Sequence, residues 1–110
     1  MGAFIVSQVV VLPFSCFNLT QNKLLPALLL ANVGRGDWIA CQITSKAYAD
    51  NRAIEIQNDD FETGNLQRIS YVRAGKLFTA HESLFSGVAG KLHQEKFCDV
   101  KNMVISMLQD

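Results

Sequence analysis

The sequence predicts a mainly β (α+β) fold: a small, strongly bent barrel of short strands, closed by one C-terminal amphipathic helix. Three observations predict it. Residues 24–33 and 38–43 are two apolar runs on either side of a Gly34-Arg35-Gly36-Asp37 turn, which is the pattern of a β-hairpin. Shorter apolar stretches follow, separated by Gly, Asn and Asp. From residue 94 the apolar residues fall three to four apart, the spacing of a helix. With 110 residues, a single domain over 1–110 is expected. A chain of that size buries roughly 65% of its unfolded surface.

Each element has its own reason. Residues 4–12 are rich in valine and isoleucine and read as a strand. It ends or bends at Pro13, which has no N–H for a central ladder. Residues 15–23 hold Asn18, Thr20, Gln21 and Asn22 and read as a loop. Residues 24–31 are almost continuously apolar, as in a strand buried on both faces, with Pro26 at its start or at a non-bonded position. The partner run ends on two hydroxyls, Thr44 and Ser45. Residues 52–56 alternate, with Ile54 and Ile56 on one face and Glu55 on the other. Residues 57–67, with Asn58, Asp59, Asp60, Gly64 and Asn65, suit a structured excursion better than a strand. Residues 69–72 and 77–79 read as two strands around an Ala74-Gly75 turn, and 81–85 as one helical turn. From 94 to 108, Phe97, Val100, Val104, Met107 and Leu108 form the apolar stripe of the closing helix. His93 stands where a capping residue is expected.

Composition excludes several classes. Ten basic and ten acidic residues give a formal net charge of zero, which argues against holding nucleic acid by bulk charge. A local basic patch is still compatible with it, and a neutral protein tends to self-associate. Cys16, Cys41 and Cys98 are odd in number and form no C-x-x-C pair, so small buried hydrophobes in a reducing compartment are expected. Ser7 and Gln8 interrupt the apolar start and no basic segment precedes it, unlike a signal peptide. No apolar run approaches the ~18 residues of a membrane span. A soluble cytoplasmic protein without membrane partners is the expectation.

No Gly-rich phosphate loop or metal-ligand cluster appears, so neither cofactor nor metal is expected. Thr44 and Ser45 suit a phosphate contact, or else simply end a strand and bond the turn. Lys23 reads as a loop charge and Arg35 as a turn residue. Arg68, Arg73 and Lys76 make a modest basic cluster, suited to RNA, to partner carboxylates or to solvent. Trp38 and Phe78 read as core rather than as base-stacking platforms.

Four collinear stretches carry a family resemblance: VVVLPF at 9–14, LPALLLANVGRGDWIACQITSKAY at 25–48, YVRAGKLFTAHESL at 71–84 and VAGKLHQEKFCDV at 88–100. On these the chain resembles the MazF/PemK family of type II toxin–antitoxin ribonucleases. The resemblance implies a barrel like that of Src-homology-three domains, of the plasmid-maintenance-toxin type. It implies a homodimer that cuts single-stranded RNA at short sequences without a metal, and a cognate antitoxin that blocks the site. RNA would enter near the loop at 15–24, which brings in Asn18 and Gln21, with Arg35, Arg73 and Lys76 as further RNA contacts.

The chemistry explains the residue types. An adjacent 2′-hydroxyl attacks the phosphate, and the site must present donors to the crowded, charged transition state. The family's usual pair is an arginine just before the strand-two proline and a threonine or serine ending strand three. Thr44 matches the second position, with Ser45 beside it, but the residue before Pro26 is Leu25. Losing one preorganised donor costs on the order of 10²–10³ in rate. Lys23 lies two residues earlier, on the same side of an extended segment, and is one candidate substitute cation, with Arg35 in the hairpin turn as the second. Two expectations follow: an endoribonuclease using Thr44, Ser45 and Lys23, or an impaired member that still binds antitoxin or RNA. An unrelated peptide-binding barrel would require the motifs to be coincidental.

Overall fold

The computed structural model describes residues 4–15, 22–46 and 49–110. Seven strands and one helix follow in order: β1 (Gln8–Ser15), β2 (Asn22–Gly34), β3 (Asp37–Thr44), β4 (Ala53–Ile56), β5 (Phe61–Gly64), β6 (Ser70–His81), β7 (Gly87–Leu92) and α1 (Gln94–Gln109). The strands form one antiparallel, curled sheet in the order β4-β6-β3-β2-β1-β7-β5. Mainly β with one C-terminal helix is therefore the architecture, as the sequence predicts.

The central hairpin is built as its residues dictate. Gly34 pairs with Asp37, which leaves Arg35 and Gly36 as a two-residue loop. Both have positive φ, +58° and +82°, as a tight turn matching the strand twist requires. At Gly36 a side chain would also meet the His81 ring, 2.6 Å from an added Cβ.

The apolar run of β2 is explained by two cores. Val9, Leu28, Cys41, Ile43, Ile56, Val72 and Leu92 pack with Phe97 and Val100 of the helix. Val10, Ala27, Leu29, Trp38, Ala40 and Ala80 form a second cluster. Adjacent residues of β1, β2 and β3 thus face opposite cores, and Leu28 and Leu29 are both fully buried. Each contributes roughly 1.5–3 kcal/mol of burial.

Several expectations are corrected. Asn22 and Lys23 belong to β2 and not to a loop, because they continue its pairing with Ser15 and Phe14. Pro13 lies inside β1, beyond the last residue paired with β7. Its missing N–H therefore breaks no ladder on that side. The two strands expected around Ala74-Gly75 are one strand, β6. Cys41 pairs with Leu77 and Gln42 with Arg73, so residues 74–76 bulge out and the strand runs on. Residues 61–64 are an edge strand, β5, paired with β7. That pairing needs glycine: a Cβ on Gly90 would lie 2.5 Å from the Thr63 carbonyl oxygen. The turn expected at 81–85 is present as a short 3-10 segment, Glu82–Leu84. It is tied to the hairpin by Trp38, whose Nε1–H donates to Glu82 Oε1 at 3.0 Å. His93 is the N-cap of α1, without a side-chain capping bond.

Candidate functional site

The site forms where β2 and β3 part. Their ladder ends at Ala27↔Gln42. Continuing that register would set Pro26 against Ile43, and proline offers no N–H to bond there. Beyond this point, among the described residues, β2 pairs with β1 alone, through Leu25↔Leu12 and Lys23↔Phe14, and β3 with β6 alone. Between the separated strands lies a cavity of about 310 Å³, lined by Lys23, Leu25, Pro26, Gln42, Ile43, Thr44, Ser45, Lys46 and Ser70.

Alternation decides which side chains meet. Leu28 faces the helix-side core, whereas Ala27 and Leu29 face the other. Odd-numbered Lys23 and Leu25 therefore project with Ala27. On β3, Ile43 faces the helix-side core, so Gln42 and Thr44 project away from it. Lys23, Leu25, Thr44 and Ser45, chosen from the sequence as site residues, thus line one cavity.

Its chemistry is one-sided. Among the described residues the lining holds two lysines, three hydroxyls (Thr44, Ser45, Ser70) and one amide (Gln42), and no carboxylate. Thr44 Oγ1 accepts the Lys46 N–H at 3.2 Å, which leaves the hydroxyl proton to donate. Ser70 is buried and its Oγ donates to the Arg68 carbonyl at 3.0 Å. The two lysines with the Thr44 and Ser45 hydroxyls favour an oxyanion. A larger concavity, of about 640 Å³, has the opposite character: Asp59, Asp60, Glu95 and Asp99 line it with His93 and Lys96. Four carboxylates there oppose a polyanion.

The remaining sequence candidates are dispersed. Arg35 occupies the hairpin turn, at the other end of β3 from Thr44 and about 25 Å away along the strand. Arg73 is paired in register with Gln42, but its guanidinium turns to Asp50, with Nε 2.9 Å from Oδ2. This bond, then the Arg52 N–H that Asp50 also accepts, holds the Asp50 carboxyl below the usual carboxylate range. Arg73 and Lys76 line a separate groove of about 510 Å³ with Arg52 and Met107. Asn18 and Gln21 lie outside the described residues. Three polar lining residues are not among the candidates that the sequence offers: Gln42, Lys46 and Ser70. Lys46 was legible as the cation two residues beyond Thr44, but nothing local marked Ser70, which arrives from β6.

No protein-family model and no curated protein matches the sequence. Solved structures do match the fold. A MazE–MazF complex of Deinococcus radiodurans superposes with a TM-score of 0.78 at 18% identity, covering 99% of this chain and 98% of that one. An endoribonuclease from a mycobacterial species gives 0.72 at 18% identity, over 99% and 94%. A mycobacterial endoribonuclease in complex with its cognate antitoxin gives 0.71 at 17% identity, over 99% and 96%. The chain has the fold of the MazF toxins.

Proposed function

We propose that this chain is the toxin of a type II toxin–antitoxin pair: a cytoplasmic, sequence-specific endoribonuclease that cuts single-stranded RNA by 2′-hydroxyl attack, without a metal. One observation carries the reading. Residues twenty positions apart, Lys23 and Leu25 on one side and Thr44 and Ser45 on the other, meet in a cavity of donors that contains no carboxylate among the described residues. The scissile phosphate would sit there, with the Thr44 and Ser45 hydroxyls on its non-bridging oxygens and Lys23 and Lys46 compensating the charge that develops. Lysine supplies a point charge where a guanidinium would supply a planar fork, so orientation is weaker and turnover slow.

The antitoxin complexes among the matching folds support a cognate antitoxin as partner. A homodimer is proposed with it, supported by the exposed Leu24, Val33 and Val88. Light scattering after size exclusion tests the dimer.

The activity is tested by incubating purified protein with a long single-stranded RNA in the presence of a chelator. Cleavage at a short repeated sequence, lost by about 10²-fold or more in Thr44→Ala, is the expected result. Equal residual RNA with wild type and Thr44→Ala refutes it. Leu25 favours a second reading, a toxin-fold protein that binds RNA or antitoxin without cutting. Retained RNA binding with no cleavage by wild type would select that reading.

A further inference from the structure

The strand registers lay out a second feature beside the cavity. Thr44 of β3 pairs with Tyr71 of β6, and Tyr71 pairs with Glu55 of β4. Directly paired residues of antiparallel strands project to the same face, with Cβ atoms about 4.5–5.5 Å apart. The neighbouring row, Ile43, Val72 and Ile54, packs into the helix-side core. Thr44, Tyr71 and Glu55 therefore share the opposite face, with Glu55 roughly 10 Å from Thr44, two interstrand spacings away.

Tyr71 differs from the other aromatic residues. Trp38, Phe61 and Phe97 are buried. Phe4 packs on Phe85, and Phe14 on Phe78, as edge-to-face pairs. Tyr71 is only half-buried, and among the described residues it is the one aromatic side chain neither in a core nor in a ring pair. Glu55 is exposed, and its Oε2 accepts a hydrogen bond from Gln57 Nε2 at 2.6 Å, which leaves Oε1 to accept another. A carboxylate repels phosphate, so Glu55 suits a base edge and not the backbone.

We propose that Tyr71 and Glu55 form a nucleobase subsite adjoining the phosphate cavity. Single-stranded RNA is read by stacking its unpaired bases on aromatic rings and by hydrogen bonds to their edges. The Tyr71 ring is the platform for the base next to the phosphate at Thr44. The Glu55 carboxylate accepts from an exocyclic amine, which adenine and cytosine present and uracil lacks. The lysines of the cavity read phosphate charge, and this pair adds discrimination between bases. The inference rests on the RNA reading proposed above.

The test uses 2′-O-methyl hexanucleotides of adenine, cytosine and uracil, which lack the attacking hydroxyl, and inorganic polyphosphate as a polyanion without bases. Wild type should bind the adenine and cytosine oligonucleotides more tightly than the uracil one. Tyr71→Ala and Tyr71→Leu should weaken all three by about 5- to 100-fold and leave polyphosphate binding unchanged, whereas Tyr71→Phe should bind like wild type. Glu55→Gln should abolish the preference over uracil without weakening uracil binding. Tyr71→Leu binding RNA like wild type, or losing RNA and polyphosphate alike, overturns the stacking role. An intact base preference in Glu55→Gln overturns the edge contact. A wild type that binds polyphosphate but none of the three RNAs overturns the RNA reading itself, and this inference with it.

Discussion

Under the proposed RNA cleavage, Leu25→Arg should change stability and catalysis in opposite directions, and both can be worked from the cavity. Leu25 is half-buried, so about 1 kcal/mol of apolar burial is at stake, and the arginine stem recovers part of it. Lys23 lies two residues away on the same face, about 6.6 Å along the strand. Two like charges at that distance repel by about 0.6 kcal/mol in water. The RNA-free variant should therefore be about 1–1.5 kcal/mol less stable, lowering Tm by roughly 5–10 °C. At 1 M salt the Debye length falls to about 3 Å, so the repulsive part disappears and the burial part remains. In the transition state of the proposed cleavage the sign should reverse. A guanidinium beside Thr44 offers two parallel donors to the phosphoryl oxygens, worth about 10²–10³ in rate. Single-turnover cleavage of an end-labelled RNA by wild type, Leu25→Arg and Leu25→Gln reads this directly. Folded Leu25→Arg cutting no faster than wild type would refute the placement of the scissile phosphate in this cavity. An equal gain in Leu25→Gln would show that polarity and not charge is responsible.

Further outcomes follow from the same structure. Gly90→Ala drives a methyl against the Thr63 carbonyl and the Phe61 ring, so a loss of about 1–3 kcal/mol is expected by chemical denaturation; unchanged stability would show that β5 can move away. Burial pushes the Cys41 thiol up to about 12, so a thiol reagent at pH 8 should modify half-buried Cys98 in the native protein and reach Cys41 only after unfolding. Because the unfolded thiol ionises near pH 8.5, the stability held by neutral Cys41 is present below that pH and lost as pH rises toward about 12. Thermal melts of wild type and Cys41→Ala should converge across that range. The Asp50 carboxyl is held low by Arg73, so its contribution is present above the unfolded value near pH 4 and is lost as pH falls through the lowered folded one. Acid unfolding should accordingly be steeper below pH 4 in wild type than in Asp50→Asn, and identical curves would show the bond contributes nothing.

The elements read most securely from sequence were those with a strong period of their own. The hairpin of β2 and β3 and the helix α1 needed only local pattern and turn chemistry. The strand β7 has no such signal, because Gly87 and Gly90 interrupt its apolar residues, and its partner β5 has the local pattern of an excursion. Both exist because the sheet supplies pairing partners to segments that lack intrinsic strand preference. Ala74-Gly75 read as a turn for the same local reason. The ladder with β3 absorbs residues 74–76 as a bulge, and the pairing on either side holds β6 together.

Of the site, the sequence by itself determined the ingredients. It placed Thr44 and Ser45 at a strand exit, put Leu25 before Pro26, and set Lys23 on the side of the strand that Leu25 occupies. Those follow from period-two alternation and from proline's missing N–H, which are properties of a few adjacent residues. The tertiary structure alone decided that the two strand ends separate into a cavity, that Ser70 and Lys46 join it, and that Arg73 turns away to Asp50. It alone aligned Thr44, Tyr71 and Glu55 in one row. These facts depend on the registers between strands distant in sequence, and no local pattern encodes a register that the bulges of β6 and the curl of the sheet set.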